Sequence, residues 1–235
     1  MSAPAFAITP MLFPSFAGAS FIAADTTIAK ILFEPATADA GAATPRYGGA
    51  TLLDLTATST DAVAKDVLLW LGEIRTTQET TATGDVTLTA QNKLSRAAGS
   101  WIANGWKPGM SVMTFTPPGT AQIAAAIDGI AGIVTAVTAL DLTVNGTPFA
   151  AGTNLLTAGT RFVQTAQLFR ATVAANAGNT AAIPNVSLLG NLMDSSLIRT
   201  EFKLGSSCML IAGMQTAVSA LPAQVFVVPR GVALY

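Results

Sequence analysis

The chain has 235 residues, enough for one large β domain or two smaller ones with a real core. Only 11% of it is charged, against about 25% in an ordinary globular domain, while 51% is apolar and the mean hydropathy is +0.52. The net charge is −1 with Lys and Arg scattered, which argues against direct nucleic-acid binding, and the absence of His removes Ser-His and Cys-His catalysis, histidine metal sites and a histidine switch.

So few charges leave much neutral surface, and a freely diffusing monomer of this kind associates readily. The composition therefore predicts a surface covered in an assembly. The alternative is a large monomeric core coated with Thr, Ser, Asn and Gln. Residues 1–24 carry no charge, but they lack a basic start and are interrupted by Pro4, Pro10 and Pro14, a poor signal peptide. Residues 204–228 are uncharged too, yet polar and broken by Gly and Pro, unlike a spanning helix. A soluble protein made inside the cell, with no membrane contact, is expected.

In chain order, residues 1–19 read as an extended arm with Phe6, Phe13 and Phe16 as points for docking on a neighbour. An apolar strand is expected within 21–33, from the alternation of Ile28, Lys30 and Leu32 with Ala29, Ile31 and Phe33. The next, 47–58, would place Leu53 and Leu55 on one face and Leu52 and Asp54 on the other. Asp66 to Ile74 is a short, nearly continuous apolar run between Thr-rich flanks, and reads as a fully buried central strand of a β-sandwich. Glu34 with Asp39, or Asp54 with Asp61, read as scattered turn acids rather than a catalytic dyad.

Composition shifts at a Thr-rich link, 76–84, and strand alternation resumes at 85–90. The string from Ser95 to Val112 is the most distinctive in the chain. Gly99, Asn104-Gly105 and Pro108-Gly109 allow tight turns, and Trp101, Ile102 and Trp106 would pin them onto a small barrel. Core or interface anchoring is the expected role of Trp101 and Trp106; a stacking platform for a sugar or base is the functional alternative. Strands are expected at 110–115, 130–137 and 140–144, with a turn at 116–119, a short helical turn at 121–126 and a hairpin-type turn at Asn145-Gly146.

A second linker, 147–159, leads to a long strand, 162–173, a turn at 176–179 and a short strand at 185–189. Further strands are expected at 208–218 and 223–228. The lone Cys208 forms no internal disulfide and reads as a small buried hydrophobe. No phosphate-binding loop or dinucleotide fingerprint is present, so no cofactor or metal is expected.

Four strings give the chain a resemblance: Asp25-Thr26-Thr27 leading into Lys30-Ile31-Leu32-Phe33; residues 53–61 (LDLTATSTD); Asp66-Val67-Leu68-Leu69-Trp70-Leu71; and residues 173–178 (VAANAG) followed by 186–189 (VSLL). They resemble tailed-bacteriophage virion proteins of the capsid decoration or cement type, with a jelly-roll-like sandwich. Residues 95–112 with 133–144 resemble a small β module recurrent in phage tail proteins.

The resemblance implies a mainly β chain: an arm at 1–19, a discontinuous jelly-roll-like β-sandwich at 20–75 and 160–235, and an inserted small β-barrel-like module at 76–159. It implies a non-enzymatic virion protein, made in the host cytoplasm, that decorates or cements the capsid shell as a homo-oligomer, with the major capsid protein or other virion proteins as partners. A tail-tube or head–tail connector subunit, and a carbohydrate-binding module or hydrolase using Trp101, Trp106 and nearby acids, are the rival readings.

Overall fold

The computed structural model describes residues 18–25, 29–33, 49–115, 129, 131–149, 154–180, 182–189, 202–205 and 208–234. Residues 1–17 of the expected arm, with Phe6, Phe13 and Phe16, the carboxylates Glu34 and Asp39, and the turns at 116–119 and 121–126 lie outside them, while Ala19, expected at the end of the arm, already belongs to a strand. The protein is mainly β. Its strands are β1 (Ala19–Phe21), β2 (Lys30–Phe33), β3 (Gly49–Ser59), β4 (Lys65–Glu79), β5 (Val86–Ala90), β6 (Lys93–Arg96), β7 (Ser111–Phe115), β8 (Ala131–Val137), β9 (Asp141–Val144), β10 (Asn154–Leu155), β11 (Arg161–Val173), β12 (Val186–Ser187), β13 (Phe202–Gly205), β14 (Cys208–Met214) and β15 (Val225–Leu234). A 3-10 turn, Ala23–Asp25, follows β1.

Two compact units emerge, residues 1–71 with 167–235, and residues 72–166. The sequence places its linkers at 76–84 and 147–159. Residues 76–79 are instead the end of β4, and 154–155 form β10. Thr is at home both in strands and in polar links, so composition could not separate the two.

The first unit is a β-sandwich. One sheet has the order β1-β15-β3, with β12 and β13 both on the far edge of β3. The other runs β11-β4-β14-β2. Their inner faces share one core. Leu52, Leu55 and Ala57 of β3 and Val225 and Val227 of β15 join Val67 and Leu69 of β4, Leu210 and Ala212 of β14, and Leu32 and Phe33 of β2. Burial of such apolar faces is the main stabilising term in a sheet-on-sheet fold.

Two expectations in this unit are corrected. The β15 ladder pairs Pro229 with Leu55 and Arg230 with Asp54, then Gly231 with Leu52, so Leu53 has no partner. This β-bulge resets the alternation. Leu52 and Leu55 both reach the core, and Leu53 is 48% exposed. The run 66–74 is not buried on both faces either. Val67 and Leu69 are in the core, but Leu68, Trp70 and Leu71 are only half-buried. Trp70 packs over Gly213 of β14, where a Cβ would stand 2.9 Å from the indole.

The second unit has the order β10-β5-β6-β9-β8-β7-β11-β4. The β5–β6, β6–β9, β8–β9, β7–β8 and β7–β11 pairs are antiparallel. β10 pairs antiparallel with β5. Between the β4–β11 pair and the β5–β10 pair the backbone bonds continue. Thr80 donates to Thr160 (3.0 Å), Gly159 to Thr80 (2.7 Å), Gly84 to Leu156 (2.9 Å) and Leu156 to Val86 (3.0 Å). The Thr80 hydroxyl donates to Thr157 O at 2.6 Å and accepts the Thr160 N–H at 2.9 Å, which fastens the bend. The core holds Leu88, Leu94, Trp101, Trp106, Val134, Leu142 and Phe162, among others.

The β8–β9 hairpin turns at residues 138–141, where Thr138 N–H donates to Asp141 O at 2.8 Å. Asn145-Gly146 therefore closes no hairpin. It follows β9, whose ladder partners are β6 and β8.

Candidate functional site

The Gly- and Trp-rich string folds as a loop over the core of the second unit. Asn104 N–H donates to Ser100 O, Gly105 to Ile102 and Trp106 to Trp101, at 3.1, 2.9 and 3.1 Å. Gly99, Gly105 and Gly109 adopt φ of +85°, +84° and +90°, which only glycine holds cheaply. The loop turns Trp101 and Trp106 inward, 0% and 2% exposed. The indoles meet edge to face at 6.4 Å, and Trp101 meets Phe162 the same way at 5.1 Å. The Trp101 Nε1–H donates to Leu140 O at 3.0 Å, so its one polar group is satisfied inside the core.

Both Trp residues are thus core anchors of their own unit. Neither presents a face to a sugar, a base or a neighbouring subunit. Ile102, expected to pin the loop alongside them, is 57% exposed, because consecutive positions of one tight turn point apart.

Arg96 covers the outer side of Trp101, its guanidinium carbon 4.0 Å from the ring centroid, and its Nη1 donates to Asn104 Oδ1 at 2.8 Å. Burial lowers its pKa, yet a guanidinium stays charged at any ordinary pH. Arg96 helps to line a cleft of about 460 Å³ with Thr80, Thr81, Asp85, Asn104 and Phe162. Asp85 Oδ2 accepts from the Thr81 hydroxyl (2.7 Å), Ala82 N–H (2.7 Å) and Thr81 N–H (2.8 Å). These bonds hold the carboxyl below its ordinary range, the Thr81 hydroxyl most of all. A general acid at neutral pH needs the opposite shift. The cleft thus offers polar groups and shape without a poised proton donor. Sequence reasoning passed over it, since Thr81, Asp85 and Arg96 converge only through the bend at Gly84, whose φ is +92°.

The other concentration of charge is structural. Asp61 is sealed from solvent between exposed Ala62 and Val63 and the loop at 217–219. Its carboxylate accepts from Val63 N–H (2.9 Å), Ser219 N–H (2.8 Å) and the Ser219 hydroxyl (2.9 Å). Lys65 Nζ stands 3.5 Å away and donates to Ala217 O at 2.7 Å. Burial pushes the Asp61 pKa up, but the bonds from Ser219 and Val63 and the Lys65 charge outweigh it, and the net shift is downward.

Three further acids show the same pattern. Asp141 pairs with Ser95 and Lys93, Asp66 with Thr172 and Arg170, and Asp25 with Lys30 and Ile22 N–H. Among the described residues no three His, Cys, Asp or Glu side chains converge to hold a metal ion. No helix among them is long and apolar enough to cross a membrane. Cys208 is half-buried rather than fully so.

Two loop clusters expose apolar side chains. In the first unit Thr60 N–H donates to Gln224 O at 2.9 Å, which sets Val63 (57% exposed) and Leu221 (68%) on neighbouring turns. In the second, Trp101 N–H donates to Ala139 O at 2.9 Å, which sets Ile102 beside the turn that carries exposed Leu140. Comparison of the chain with family models, curated proteins and solved structures gives no match.

Proposed function

We propose that this chain is a non-enzymatic structural subunit of a tailed-phage virion, decorating or cementing the capsid shell. One observation carries the reading: a chain of β-sheet with only 11% charged residues also exposes large apolar side chains on turns of both units. Such side chains contribute most when a neighbour covers them, at roughly 25 cal/mol per Å² of apolar area less the cost of association. Asp25, Asp61, Asp66, Asp85 and Asp141 are each engaged in holding loops and strands together, which suits a scaffold better than a reaction centre. The phage assignment itself rests on the four short strings described above.

In this reading the second unit is a small closed barrel. β4 continues into β5 and β10 continues into β11, so the backbone bonds from Thr80 to Leu156 would join the first and last strands of the order into a ring. The carbohydrate-binding reading loses its support, because it needs the faces of Trp101 and Trp106. Electron microscopy of the purified chain, alone and mixed with empty shells, tests the proposal. Discrete oligomers and added density on shells are expected. Rings that stack into tubes would favour a tail-tube subunit, and a monomer that leaves shells bare would refute both.

A further inference from the structure

The sequence contains two Asn-Gly pairs, Asn104-Gly105 and Asn145-Gly146. A glycine after asparagine leaves the next backbone nitrogen unshielded by a Cβ, so that nitrogen can reach the side-chain carbonyl carbon. The fold treats the two pairs differently. Asn104 is half-buried and lies between two buried indoles in the sequence. Its Oδ1 accepts from Arg96 at 2.8 Å, and the Gly105 N–H is engaged with Ile102 O at 2.9 Å. The nitrogen that would have to attack is therefore held in a rigid turn.

Asn145 and Gly146 are both exposed. Gly146 adopts φ +63°, and nothing lies within 4 Å of where a Cβ would stand. Its N–H donates to no group among the described residues. The Asn145 Oδ1 accepts the Ile133 N–H at 2.9 Å. Both side-chain oxygens thus accept a donor that would stabilise the charge developing under attack, and the two sites differ in whether the glycine nitrogen is held.

We propose that Asn145 is a site of spontaneous deamidation in the folded protein, and that the same dipeptide at Asn104 is protected by its loop. The Gly146 nitrogen, losing its proton to solvent base, bonds to Cγ of Asn145. The bond from Cγ to the side-chain nitrogen breaks, that nitrogen takes a proton from water and leaves as ammonia, giving a five-membered imide. Water then opens either imide carbonyl, leaving aspartate or isoaspartate at that position. Each event adds a negative charge to a chain whose net charge is −1. The isoaspartate form also adds a methylene to the backbone, just where Asn145 N–H bonds to Ile133 O of β8 at 2.8 Å.

The test is to hold the purified full chain, folded, in warm, mildly alkaline buffer and to map its peptides over time by mass and isoaspartate content. An Asn145→Gln variant identifies the peptide. Conversion at Asn145 should run at least roughly fivefold faster than at Asn104, the factor expected of one retained hydrogen bond. In urea the two rates should converge. Equal rates in the folded chain, or conversion at Asn145 only after unfolding, would overturn the proposal.

Discussion

Asp61 shows how one side chain can set the stability of a loop cluster. Removing its charge leaves Lys65 buried beside an amide, and an Asn at this position would turn an N–H toward donors already present. Asp61→Asn should therefore cost about 3 kcal/mol, read by urea denaturation at neutral pH. The folded pKa lies below the ordinary value of 3.8. Its contribution is thus complete above that value and is lost as pH falls through the folded pKa. The gap between wild type and variant should be full at neutral pH and narrow only in acid below about pH 4. A gap that closes near neutrality would contradict the assignment. The Trp loop gives a second contrast. Trp106→Ala should cost about 3–5 kcal/mol by opening a cavity, while Ile102→Ala should stay within about 0.5 kcal/mol. Equal effects on denaturation would mean that the loop does not sort these side chains as described.

At the scale of strands, alternation and turn residues made much of the pattern legible. The runs at 85–90, 110–115, 130–137, 140–144 and 162–173 match β5, β7, β8, β9 and β11 within one residue at either end. What stayed hidden depends on partners distant in sequence. The bulge at Leu53 is imposed by β15, about 175 residues further on, and no local pattern announces it. A direct check follows. Leu52→Lys places a charge in the sandwich core and should abolish folding, whereas Leu53→Lys should stay within about 0.5 kcal/mol of wild type. Thermal melts that penalise Leu53→Lys as heavily would restore simple alternation. Asp61 and Lys65 were equally opaque: four residues apart and among alanines, they look like surface charges until Ser219 is folded over them.

For the molecule as a whole, the mainly β class was legible in the strand patterning, and the chain divides into two β units, one inserted into the other. The polar cleft at Arg96 and Asp85 could not be read in advance, because its walls come from segments brought together by the bend at Gly84. The proposed role turns on what covers the surface. Co-sedimentation of the purified chain with empty capsid shells over a range of concentrations measures that directly. The account predicts saturable binding by an oligomer of fixed size. A chain that stays monomeric at every concentration and never travels with the shells would contradict it.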